Sequence, residues 1–264
     1  MDLQLTGKSA LVTGSTAGIG LAIASTLAAE GASVIVNGRT EARVEQAVRA
    51  IKAQTAAADV RGIAADLATA QGCQQLIALL PAVDILVNNL GIFEPKPFAE
   101  IPDGDWLRMF EANVLSGVRL SRQYLPKMLA AGWGRVIFIS SESAVNIPAE
   151  MIHYGMTKTA QISVARGLAE MTRGTAVTVN SVLPGPTRSE GVELFLKQIA
   201  GAKEMSVSQV EKEFFTTVRP NSLIKRFETP EEIAAVVAFV ASPLAAAING
   251  AAVRAEGGCV QSVL

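Results

Sequence analysis

Short runs of apolar, β-rich residues alternate with longer stretches of helical spacing along the whole chain. Ser9–Thr13, Ser33–Asn37, Asp84–Asn88, Arg135–Ser140 and Val177–Val182 read as strands, with a weaker one near Val60–Ala64 and a last one near Ala251–Ala255. Most are apolar throughout instead of alternating, which suits parallel strands buried on both faces. Helices are predicted between them at Ile19–Glu30, Glu41–Thr55, Gln71–Leu80, Asp105–Ala131, Ile152–Thr172 and Pro230–Val240. Gly31 stands where a left-handed residue would close the first helix, and Thr229 caps the last one ahead of Pro230. Repeated β-α units imply an α/β chain with one doubly wound parallel sheet of about seven strands, flanked by helices on both faces. No linker or composition break divides residues 1–264, so one domain is expected. The rhythm fails only at Ser189–Glu228, a long polar and helical insertion before the last unit, of the kind that forms lids.

Composition narrows the function classes. Half the residues are hydrophobic and 18% are charged, which argues for extensive burial. A formal net charge of −1 gives no electrostatic reason to expect nucleic acid or an anionic membrane. The start, MDLQLTGK, lacks the basic-then-apolar pattern of a secretory signal. The longest uncharged run, Ile233 to Val253, is broken by Ser242-Pro243 and Asn249-Gly250, and so reads as helix, turn and strand, not a membrane span. Cys73 and Cys259 lie far apart without metal spacing and read as free thiols in a reducing compartment. A cytoplasmic protein without a metal site is expected.

Strand Ala10–Thr13 runs into Gly14-Ser15-Thr16-Ala17-Gly18-Ile19-Gly20, which opens the first helix. Glycine lets the backbone approach a ligand, and the unpaired N–H groups of a helix start favour a pyrophosphate. The spacing Gly-x3-Gly-x-Gly resembles the Thr-Gly-x3-Gly-x-Gly signature of the classical short-chain dehydrogenase/reductase family. The likeness spans essentially the whole chain. Asp66-Leu67 resembles the pair after the third strand whose aspartate contacts adenine, and Asn88-Asn89-Leu90-Gly91 the Asn-Asn-Ala-Gly motif, with Leu90 in place of alanine. The resemblance implies a Rossmann-type sheet and a dinucleotide held by Gly14, Ser15, Thr16, Gly18, Ile19, Gly20, Asp66, Leu67, Asn89 and Gly91. It also implies that Pro184-Gly185 wraps the nicotinamide carboxamide, with Thr187 or Ser189 supplying a hydroxyl.

Related proteins read the cofactor ribose at the end of the second strand, where a carboxylate selects NAD. This chain has Asn37-Gly38-Arg39-Thr40, with no carboxylate before Glu41. Arg39 could pair with a 2′-phosphate. Asn37 and Arg39 therefore favour NADP(H), with NAD(H) as the other option.

Tyr154 and Lys158 are four apart on one helix and share a face. Ser141 lies thirteen residues before Tyr154, at the carboxyl end of a strand, the rim where such sheets bind ligands. By resemblance, Asn113 completes an Asn-Ser-Tyr-Lys tetrad. Tyr154 would exchange a proton with the substrate oxygen, and Ser141 would hold that oxygen. Protonated Lys158 and the oxidised nicotinamide would lower the tyrosine pKa. Lys158 would also bind the nicotinamide ribose, and Asn113 would support a relay water. Ser143 is a further candidate for the substrate wall.

His153, the only histidine, is expected at the pocket rim or in solvent. Leu194, Phe195, Leu196, Ile199, Phe214 and Phe215 are expected to cap a partly hydrophobic carbonyl compound, or else to pack on the core or a neighbouring subunit. No Gly-x-Ser-x-Gly elbow marks a hydrolase. The resemblance also implies a homotetramer or homodimer joined through the helices at Asp105–Ala131 and Ile152–Thr172. A non-catalytic nucleotide-binding sensor or scaffold is the alternative on the same fold. An S-adenosylmethionine methyltransferase is a third option, disfavoured by Asn37 where an acid is wanted.

Overall fold

The structure, a computed structural model, describes residues 1–263, Phe195 by its backbone alone. Seven strands form one sheet: β1 (Ser9–Val12), β2 (Ser33–Gly38), β3 (Val60–Ala64), β4 (Ile85–Asn88), β5 (Trp133–Ile139), β6 (Ala176–Pro184) and β7 (Ala252–Ala255). Their spatial order is β3-β2-β1-β4-β5-β6-β7 and every neighbouring pair is parallel. All strands therefore end at the same rim.

Alternate side chains of each strand feed two cores. Ala10, Val12, Val34, Val36, Ile85 and Val87 pack under α1 (Gly18–Ala29), α2 (Glu41–Gln54) and, late in the chain, α9 (Pro230–Ala241). Leu11, Ile35, Leu86, Val136 and Phe138 pack on the opposite face. That face is covered by α3 (Ala70–Leu79), α5 (Ser116–Ala131) and α6 (Ile152–Glu170). Gly31 has φ +87° after α1 and Thr229 caps α9, as their sequence positions predict, and Glu232 completes a reciprocal capping box with Thr229. Ile233–Val253 resolves into helix, turn and strand, and no helix among the described residues is long and apolar enough to cross a membrane. Both cysteines are free and buried.

Two elements differ from expectation. The helix expected at Asp105–Ala131 is three segments: α4 (Asp103–Phe110), a π-helical turn at Glu111–Leu115, and α5. The insertion contains two helices, α7 (Glu190–Lys203) and α8 (Val207–Thr217). Leu196, Ala200, Val210, Phe215 and Phe227 give it a small core of its own. The side chain of Phe195, expected in the same cap, lies outside the described residues.

Candidate active site

The loop between β1 and α1 is built to expose its backbone. Gly14 and Gly18 sit at φ +60° and +54°, a region costly for other residues. A Cβ on Gly20 would lie 2.4 Å from Asn89 Nδ2 and 2.6 Å from Gly14 O, so the crossing admits only hydrogen. Ala17, at the N-cap of α1, offers no side-chain cap, and the first turn has no acidic residue. The helix thus keeps unpaired N–H donors and a positive dipole end, which suit a pyrophosphate. Arg39 is exposed and in no ion pair among the described residues. A dinucleotide fits this donor set.

Several expected cofactor ligands turn their side chains inward. Ser15 Oγ donates to Val12 O at 2.7 Å and accepts from Asn37 N at 3.0 Å. Asn37, expected beside the ribose, is 1% exposed. Its Nδ2 donates to Ile63 O and Ala65 O, while its Oδ1 accepts from Gly14 N. It ties β1, β2 and β3 together and leaves Arg39 as the exposed group at that corner. Leu67 is core, and exposed Asp66 accepts from Ala68 N. Asn89 braces the loop through Nδ2 to Thr13 O and Gly14 O. Thr16 is half-buried, its Cγ2 only 2.4 Å from where a Cβ on Gly38 would lie.

Ser141 stands just beyond β5, where the chain leaves the sheet, and Tyr154 and Lys158 rise from the first turns of α6. Lys158 Nζ donates to Ile139 O at 2.9 Å and lies 5.5 Å from the centre of the Tyr154 ring. Burial pushes this amine down to about 7. Burial also pushes the Tyr154 phenol up to about 12; the Ser141 hydroxyl opposes this, Glu142 adds to it and Arg219 opposes it. The lowering expected from protonated Lys158 together with the oxidised nicotinamide belongs to the cofactor-bound protein; in the protein alone both groups are desolvated and the amine donates to a carbonyl.

Asn113 lies within the π-turn, 1% exposed. Its side chain clasps the backbone of Ile92, accepting from N at 2.7 Å and donating to O at 2.9 Å, and also donates to Thr157 Oγ1. Its main-chain carbonyl accepts from Gln161 Nε2 at 2.6 Å. A Cβ at Gly91 would come within 3.3 Å of Lys158 Nζ and 3.5 Å of Asn113 Oδ1, so glycine keeps this junction open.

A cavity of about 690 Å³ runs from Ile19, Asn89 and Gly91 past Ser141, Tyr154 and Lys158 into the insertion. Pro184, Gly185, Thr187 and Ser189 line it too. Thr187 Oγ1 is spent on Gly185 O, and Ser189 caps α7, with its Cβ 3.3 Å from where a Cβ on Gly18 would lie. The insertion therefore roofs the glycine loop, and an Arg43–Glu190 ion pair at 3.0 Å joins α2 to α7 over it. Of the expected cap residues, Leu196, Ile199 and Phe214 reach the cavity wall. Phe215 packs in the insertion's own core, and Leu194 is exposed.

His153 does not face the rim or solvent. It is fully buried against Trp106, with ring centres 5.9 Å apart and no partner on either nitrogen, and burial lowers its pKa. Ser143 is 3% exposed, and its hydroxyl donates to Glu142 Oε1. Three groups escaped sequence reasoning. Glu142, beside the candidate serine, accepts from Arg219 Nε of the insertion at 2.9 Å. Glu228 Oε2 accepts from Gly185 N at 3.0 Å. Gln161 holds Asn113. Each contact joins distant segments with no local motif, so only the fold exposes it. No cluster of metal-ligating residues occurs among the described residues.

The sequence matches the family described as short chain dehydrogenase over residues 8–199. It is 54% identical over 263 residues to an uncharacterized oxidoreductase, YvaG, of Bacillus subtilis (strain 168), with both chains covered in full. A D-beta-hydroxybutyrate dehydrogenase of Cupriavidus necator is 32% identical over 261 residues, covering 97% of this chain and 99% of that one. Among solved structures, L-sorbose reductase from Gluconobacter frateurii, complexed with NADPH and L-sorbose, has a TM-score of 0.93 at 30% identity, each chain covered in full.

Proposed function

The chain belongs to the short-chain dehydrogenase family and is an oxidoreductase, and on that premise we propose that it reduces the carbonyl of a small molecule with NADP(H), using Tyr154 as proton donor. The observation that carries this is the cavity that Ile19 of the glycine loop shares with Ser141, Tyr154 and Lys158. A nicotinamide dinucleotide bound there supplies the hydride to the carbonyl carbon. The chain's own residues handle the oxygen. Ser141 Oγ donates a hydrogen bond to it, which fixes the carbonyl against Tyr154. Tyr154, with its phenol raised to about 12, carries its proton at neutral pH and passes it to that oxygen. Lys158, whose Nζ donates to Ile139 O, is the residue that would hold the nicotinamide ribose of a bound cofactor.

The preference for NADP(H) over NAD(H) is supported by exposed Arg39, in no ion pair among the described residues, and by Asn37 in the place of a carboxylate. NADPH is also the cofactor bound in the L-sorbose reductase structure. Free buried thiols and a lack of membrane-crossing helices among the described residues suit a cytoplasmic protein, and the same reading gives a homotetramer or homodimer joined through α5 and α6.

Purified protein with NADPH and a panel of carbonyl compounds, followed by loss of reduced-cofactor absorbance, tests the reading. Tyr154→Phe is expected to bind cofactor normally and to lose at least ~100-fold in turnover. Near-normal turnover in that variant would assign the proton to another group. Arg39→Asp is expected to lower the NADPH/NADH ratio of kcat/KM by at least ~10-fold; an unchanged ratio removes Arg39 as the selector.

A further inference from the structure

The wall of the cavity is mostly apolar: Phe93, Met151, Val192, Leu196, Ile199 and Phe214 line it. One corner breaks that pattern. Glu142, next to Ser141 in sequence, is 3% exposed, with Oε2 buried and without a partner. Its Oε1 accepts from Arg219 Nε at 2.9 Å, an ion pair across 77 residues that joins the catalytic turn to the end of α8. Arg219 Nη1 donates to Val218 O and lies 3.5 Å from Glu150 Oε1. Its Nη2 has no partner among the described residues. The Arg219 side chain is 15% exposed, and Arg219, Glu142 and Glu150 all line the cavity.

A guanidinium held from behind by a buried carboxylate presents its free edge in a fixed direction. That edge offers N–H donors to an acceptor on the bound molecule. Two carboxylates already share this one cation, so a third anion would enter against an excess of negative charge. A neutral carbonyl or ether oxygen would use the guanidinium alone. A hydroxyl would use the whole corner, accepting from Nη2 while donating to Glu150.

We propose that Arg219, fixed by Glu142, docks a neutral hydroxyl of the substrate. The site then takes hydroxylated carbonyl compounds with an apolar body in preference to plain ketones and to keto acids. This rests on the reductase reading above and adds the substrate class. Arg219 is specificity-determining: it touches the substrate away from the reacting carbon.

The test uses the intact protein with NADPH and a matched trio: acetophenone, 2-hydroxyacetophenone and benzoylformate. Hydroxyketones with longer spacing between the two oxygens extend the series. The best hydroxyketone is expected to exceed both the plain ketone and the keto acid by at least ~10-fold in kcat/KM, as fits a hydrogen bond to a charged group. Arg219→Lys keeps a cation for Glu142 but loses the fork, and is expected to collapse that ratio mainly through KM. Equal use of hydroxyketone and plain ketone by the wild type, or an intact ratio in Arg219→Lys, overturns the proposal. If Arg219→Lys fails to fold, the wild-type ratios decide. NADPH binding without turnover of any carbonyl sinks the reductase reading itself; turnover confined to plain ketones or keto acids sinks only the substrate class.

Discussion

Glu228 shows how one buried carboxyl ties stability to pH. It accepts from Gly185 N, and Thr187 Oγ1 lies 3.5 Å from it. Burial pushes it up from near 4.5 to about 7; Gly185 N–H opposes, Glu232 and Glu256 add, and Thr187 opposes. The folded state therefore prefers the protonated acid. Between these two values it binds more protons than the unfolded chain, so this contribution is full below about 4.5 and is lost as pH rises through about 7. The span is worth on the order of 3 kcal/mol at most. Glu228→Gln is expected to flatten the fall in Tm across that window, measured by thermal denaturation on either side of it. An unaltered slope would assign the dependence elsewhere. At this scale the sequence reveals residues whose partners are local. Tyr154 and Lys158 share a helix face by their spacing, and Ser141 stands just beyond β5, a position that the family resemblance singles out. Glu142 and Arg219 meet only after the insertion folds back, and nothing periodic links them. His153 departs from expectation for a related reason: its ring packs against Trp106, from a segment far upstream in the sequence.

Among elements, α1 is the most sharply constrained. The Cβ of Gly20→Ala would meet Gly14 O at 2.6 Å and Ser15 Cα at 2.9 Å, both backbone atoms that cannot swing aside. The loop must shift, and NADPH affinity is expected to fall at least ~10-fold, with a stability loss of about 1–3 kcal/mol from overpacking. Cofactor fluorescence titration and denaturant melts measure the two separately; unchanged affinity would detach the loop from dinucleotide binding. The glycine spacing made this element legible. The π-turn was not legible. Nothing in the periodicity of Glu111–Leu115 marks the turn, whose Asn113 is held from outside by Ile92 and Gln161. A helix can be read from its own periodicity, whereas an irregularity imposed by neighbouring segments cannot.

For the whole molecule, the strand–helix alternation carries the architecture, because strands buried on both faces must be apolar throughout and their crossovers must be helices. The insertion obeys no such rule. Its polar, helical sequence suggested a lid, but only the structure sets Ser189 over Gly18 and pairs Arg43 with Glu190. That exposed pair is worth only about 0–1 kcal/mol, and the insertion itself is held together by the Leu196–Phe215–Phe227 core.

A sheet whose strands all point one way also has a rear. Gly132 and Gly174, at φ +76° and +73°, precede the starts of β5 and β6, and a Cβ on either would meet nothing within 4 Å. The seven residues of β5 separate that edge from Ser141 by roughly 20 Å. Because positive φ penalises a side chain at either glycine, a fluorophore, affinity handle or surface tether belongs on an exposed neighbour such as Arg173, where it would leave the working end unencumbered.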